Sequence, residues 1–124
     1  SSDLDAVALP LIEIVTPAHS WYDYEHRYAP GASEHLVPAP VSDAEAEALK
    51  HIALAAHDSL GCRDLSRADL ILTQAGPMLL EVNTLPGMTP TSLYPDAAKA
   101  AGLPFPQLAR SLVQSALNRG PRFP

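Results

Sequence analysis

Leu79-Leu80-Glu81-Val82-Asn83-Thr84-Leu85-Pro86-Gly87-Met88-Thr89-Pro90-Thr91-Ser92-Leu93 reads as a strand ending in two oxygen ligands, followed by a turn rich in backbone donors. Leu79, Leu80 and Val82 supply the short apolar run that a buried strand needs. Glu81 and Asn83 stand two apart, so on a strand they project from one face. A carboxylate and a carboxamide oxygen on that face, with Pro86 and Gly87 just beyond, suit a hard cation such as Mg²⁺.

Upstream, Arg67-Ala68-Asp69-Leu70-Ile71-Leu72 is a second strand-like run, and Thr73-Gln74-Ala75-Gly76-Pro77 is a turn signal between the two. A hairpin centred near Ala75 sets Asp69 opposite Glu81 and Arg67 opposite Asn83. Directly opposed residues lie about 4.5–5.5 Å apart at Cβ. Four polar groups then converge at the open end of a hairpin whose closed end is apolar. Arg–Asp and Arg–Glu pairs also decorate solvated sheet faces without any chemistry, and periodicity alone leaves both readings open.

Around the hairpin the chain supplies scaffold. Pro10–Val15 reads as a strand. Residues 16–40 form a loop region, broken by Pro17, Pro30, Gly31, Pro38 and Pro40. Within it lies Trp21-Tyr22-Asp23-Tyr24-Glu25-His26-Arg27-Tyr28, aromatic and charged together, as in ordered loops over active sites. Ser42-Asp43-Ala44-Glu45 is a capping box, and Leu49, Ile52, Ala53, Ala56 and Leu60 follow at helical spacing up to Gly61. His51 and His57 fall on different faces of that helix, and no spacing pairs the remaining histidines. A short helix is expected over Tyr94–Gly102, with Pro near its start and Gly past its end. A final amphipathic helix is expected over Phe105–Asn118, and Gly120–Pro124 is expected to fray.

Arg67-Ala68-Asp69, followed by the run from Glu81 to Leu93, resembles the carboxy-terminal part of D-alanine–D-alanine ligases, members of the ATP-grasp superfamily. The likeness extends from about Leu9 to Leu117. It implies an α+β fold, the central and carboxy-terminal lobe of an ATP-grasp enzyme, with an antiparallel sheet packed by helices. It also implies ATP and D-alanine as substrates, joined through an acyl phosphate in peptidoglycan precursor synthesis. Asp69, Glu81 and Asn83 would then hold one or two Mg²⁺, with Mn²⁺ an alternative. Arg67 and the Gly87 N–H would stabilise the oxyanion, and Ser92 with the Leu93 backbone would bind the carboxylate of the second D-alanine. The likeness covers the loop region too. Arg27 stands there where Lys is more usual, as a substrate-binding cation, and Tyr28 keeps a catalytic tyrosine associated with peptide-forming rather than ester-forming members. A cytoplasmic homodimer is the family's expected setting.

Composition bounds the alternatives. The 124 residues make one domain, globular at 47% hydrophobic and 18% charged. A net charge of −6 with eight Lys plus Arg argues against nucleic acid. No run approaches the roughly 18 apolar residues of a membrane span. The single cysteine, Cys62, excludes an internal disulfide and fits a reducing cytosol. With no His nearby to activate it, Cys62 reads as a quiet core thiol. Nucleotide-holding features are missing: neither G-x-x-x-x-G-K-[ST] nor G-x-G-x-x-G occurs, and Lys50 and Lys99 are the only lysines. The family carries its adenine-binding residues, Gly-rich loop and amino-terminal domain upstream, so this chain is expected to be the carboxy-terminal part of a longer one. Three rivals remain: a related carboxylate–amine ligase with a different second substrate, a stand-alone divalent-cation module, and a purely structural domain.

Overall fold

The computed structural model describes residues 6–15 and 34–121. The Trp21–Tyr28 stretch, including Arg27 and Tyr28, lies outside them, as do residues 122–124 of the Gly120–Pro124 stretch expected to fray.

The first described elements are β1 (Glu13–Val15) and β2 (Glu34–Leu36), an antiparallel ribbon in which Ile14 faces His35. The ladder is shorter than the expected Pro10–Val15 strand, and β2 lies inside the stretch read as loop. Pro38 stands two residues beyond β2 and has no N–H to give a ladder. One further bond, Ala39 N–H to Leu11 O at 2.8 Å, ties the chain beyond the ribbon.

Helix α1 (Asp43–Ser59) starts as its sequence dictates. Ser42 Oγ accepts from Glu45 N–H at 3.1 Å, and Glu45 Oε1 accepts from Ser42 N–H at 3.0 Å, so two otherwise unpaired amides are satisfied reciprocally. It ends where Gly61, at φ 67°, turns left-handed and lets the Cys62 N–H reach His57 O at 3.0 Å. His57 Nδ1 then lies 2.7 Å from Ser66 Oγ, anchoring the entry to the next strand.

β3 (Arg67–Thr73) and β4 (Gly76–Asn83) form the expected hairpin, and α1 packs on both strands. A register shift beside Asp69 and Leu70 leaves Leu80 as an extra residue in β4. The buried strand expected from Leu79 and Leu80 is not what forms: they are 41% and 59% exposed. A strand is buried only by what lies over it, and α1 covers part of the hairpin, where Ala68, Leu70 and Val82 are half-buried.

Helices α2 (Leu93–Ala100) and α3 (Phe105–Arg119) pack together. Ala98 is fully buried and Leu108 is 3% exposed; with Leu93, Ala97 and Leu49 they make up the buried apolar core of the described residues. Small side chains at positions 97 and 98 permit that close approach. The class is α+β with antiparallel pairing, but the pairing is split into two separate two-stranded ribbons. No helix of the described residues is long and apolar enough to cross a membrane.

Candidate functional site

The β3–β4 ladder pairs Arg67 with Asn83 and Asp69 with Glu81, the register expected from the turn signal. Arg67 and Asp69, two apart on β3, share a face and form a fork. Nε donates to Asp69 Oδ1 at 2.8 Å, and Nη2 donates to Oδ2 at 3.1 Å. Both side chains are about three-quarters buried, at 23% and 28% exposed. A two-point bond of this kind fixes the carboxylate plane as well as its position. Across the ladder, Glu81 is exposed and has no side-chain partner among the described residues.

Asn83 closes the strand. Its Oδ1 accepts from Leu85 N–H at 2.9 Å, an Asx turn that leads the chain into Pro86 and Gly87. One lone pair of that oxygen remains. The resulting donor set is two carboxylates and one carboxamide, all oxygen, which fits a hard divalent cation that keeps several waters. Among the described residues no group of three His, Cys, Asp or Glu side chains converges.

The turn between β4 and α2 is shaped around Ser92. Its Oγ accepts from Thr89 N–H at 2.9 Å and lies 2.7 Å from Thr89 Oγ1, so it points back into the turn. Ser92 occupies the N-cap of α2 without capping it. Pro95 brings no N–H to the first turn, and the Leu93 and Tyr94 amides find no acceptor among the described residues. An uncapped helix start with free amides carries partial positive charge and suits an anion. Gly87 lies against this arrangement: a Cβ there would sit 2.8 Å from Ser92 Oγ. A side chain at position 87 would require the Ser92 hydroxyl to move.

Two features had no signal in the sequence. His35 Nδ1 donates to Asp96 Oδ2 at 2.9 Å, joining β2 to α2 across 61 residues. Arg119, at the end of α3, pairs with Asp64. Cys62 is partly exposed rather than core, and it lines a shallow cavity with Leu60, Gly61, Arg63, Leu65 and Thr84.

The family described as "D-ala D-ala ligase C-terminus" matches residues 2–114. The D-alanine–D-alanine ligase of Pelotomaculum thermopropionicum is 50% identical over 115 residues, which are 92% of this chain and 36% of that relative. The ligase of Magnetococcus marinus is 53% identical over 117 residues, 93% of this chain and 37% of the relative. The crystal structure of the D-alanine–D-alanine ligase from Bacillus anthracis complexed with ATP superposes with a TM-score of 0.73 at 32% identity. That match covers 90% of this chain and 36% of the other. The chain thus spans little more than a third of the length of the proteins it matches.

Proposed function

The chain belongs to the D-alanine–D-alanine ligase carboxy-terminal family, and from that premise we propose that it carries the metal, oxyanion and acceptor residues of an ATP-dependent ligase joining two D-alanines. The observation that carries this reading is the β3–β4 register. It sets Asp69 and Glu81 opposite one another, with Arg67 and Asn83 beside them.

In the proposed reaction, the γ-phosphoryl group of ATP passes to the carboxylate of one D-alanine, giving an acyl phosphate and ADP. The amine of the second D-alanine attacks the acyl carbon, loses a proton and expels phosphate, leaving the dipeptide. Bound Mg²⁺ would neutralise charge on the phosphates during transfer, and Asp69, Glu81 and Asn83 are the residues to hold it. Arg67, oriented by its fork on Asp69, and the Gly87 N–H stabilise the oxyanion that develops at the attacked carbon. Ser92 Oγ and the Leu93 N–H receive the carboxylate of the second D-alanine, where the uncapped start of α2 favours negative charge. Arg27 and Tyr28 complete the proposal as a substrate-binding cation and a tyrosine favouring an amine nucleophile.

The direct test uses the full-length protein with ATP, Mg²⁺ and D-alanine. One D-alanyl-D-alanine per phosphate released is the expected result. Phosphate release without dipeptide would reassign the second substrate, and cation binding without turnover would leave a binding module.

A narrower expectation concerns position 87. Gly87→Ala brings a Cβ to 2.8 Å from Ser92 Oγ, and Ser92 is held in place by Thr89. The hydroxyl must shift, so KM for the second D-alanine should rise about tenfold, the worth of one hydrogen bond to a charged group. Steady-state kinetics that leave this KM at the parental value would remove Ser92 from the acceptor site.

A further inference from the structure

The first turn of α2 contains a conflict of charge. On the reading above, on which the following rests, Ser92 and Leu93 receive a substrate carboxylate. Asp96 stands in the same turn and carries the same charge. Left to itself, a carboxylate there competes for the positive end of the helix and repels the incoming anion. Tyr94 adds no charge of its own: a phenol is neutral at neutral pH, and partial burial raises it further above its usual value.

The Asp96 carboxylate is occupied elsewhere. Its Oδ2 accepts from His35 Nδ1 at 2.9 Å, the only hydrogen bond it makes among the described residues. A carboxylate can only accept, so Nδ1 bears the proton, in the neutral tautomer or the imidazolium. Lys99, one turn further along α2, makes no ion pair with Asp96 among the described residues. His35 reaches in from the middle of β2, and its side chain is 16% exposed against 36% for Asp96. Among the described residues the β1–β2 ribbon makes few other contacts with the helices. This bond is therefore a specific tie and no by-product of a broad interface.

We propose that His35 is a positioning residue for the acceptor: by engaging Asp96 it withdraws a competing carboxylate from the start of α2 and leaves the Leu93 end open to the carboxylate of the second D-alanine. His35 touches no reacting atom. It acts through Asp96 alone, and that fixes the pattern its variants must show.

The test compares His35→Phe, Asp96→Asn and the double variant in the full-length protein, with His35→Gln as the conservative replacement that keeps a donor. His35→Phe should raise KM for the second D-alanine about five- to tenfold while kcat stays within about twofold. Asp96→Asn, which removes the charge, should leave KM at or below the parental value. The double variant should match Asp96→Asn, because without the charge there is nothing for His35 to hold. His35→Gln should recover most of the loss and guards against a folding defect in His35→Phe. An unchanged KM in His35→Phe, or an equal loss in His35→Phe and the double variant, overturns the proposal while leaving the ligase reading intact. A parent protein with no D-alanine-dependent turnover overturns the ligase reading first and this proposal with it.

Discussion

Glu81→Gln in the full-length protein is expected to lower dipeptide formation by about 100-fold or more, with little change in thermal stability. Both halves of that expectation follow from where Glu81 stands. It lies opposite Asp69 at the open end of the hairpin, is exposed, and has no side-chain partner among the described residues. Glutamine keeps the shape and the strand and removes the charge. A surface change of that kind typically alters stability by no more than about 0.5 kcal/mol. On the proposed reading, losing one of two carboxylate ligands would remove much of the charge that would hold Mg²⁺, an effect on the scale of several kcal/mol in metal-assisted transfer. Turnover and thermal unfolding measured on the same preparation separate the two effects. Near-parental turnover at saturating Mg²⁺ would mean that Glu81 is not a ligand.

The second large effect is expected from Arg67→Lys. Lysine keeps the positive charge but cannot grip both oxygens of Asp69 as the guanidinium does at 2.8 and 3.1 Å. Asp69 is then free to rotate, and the donor proposed for the developing oxyanion becomes a mobile point charge. Two functions fail together, so kcat should fall about 100-fold, the usual loss for one oxyanion donor, and the Mg²⁺ concentration giving half-maximal rate should rise. A rise in the Mg²⁺ requirement with kcat preserved would restrict Arg67 to orienting Asp69. If neither parameter moves, the Arg67–Asp69 fork is an ordinary surface ion pair.

Several of these positions were legible in the sequence because they depend on local rules. A hairpin centred near Ala75 places Asp69 opposite Glu81 before any fold is known, but the strands close at Thr73–Gly76, and it is the extra residue Leu80, which no alternation signals, that brings the open end into that register. The start of α1 follows from Ser42 and Glu45 alone. Strand β2 was not legible, since three residues next to Val37-Pro38 are too few to show an alternation. The expected start of α2 at Tyr94 misses Leu93 by one residue, because Pro95 stands where a capping box after Ser92 would carry Glu or Gln. The exposure of Leu79 and Leu80 depends on what covers a strand, and composition does not report that. The bond between His35 and Asp96 joins residues 61 apart, beyond the reach of any periodicity.

The β3–β4 ribbon has a consequence of a different kind. Among the described residues each of its strands pairs only with the other, and there both outer edges carry unpaired amides and carbonyls. Near its tip Ile71, Leu72, Met78, Leu79 and Leu80 are all exposed, and no Asp, Glu, Lys or Arg falls between Leu70 and Leu80. Uncharged, apolar and open-edged, such a segment is a template for strands of other molecules. Pro77 interrupts one edge, and Glu81 and Asp69 bring charge at the far end, so gatekeepers against stacking sit only at the margins of the window. The catalytic carboxylates proposed here would thus also restrain aggregation of the ribbon that carries them, and replacing one with an uncharged residue withdraws part of that colloidal protection along with the metal ligand.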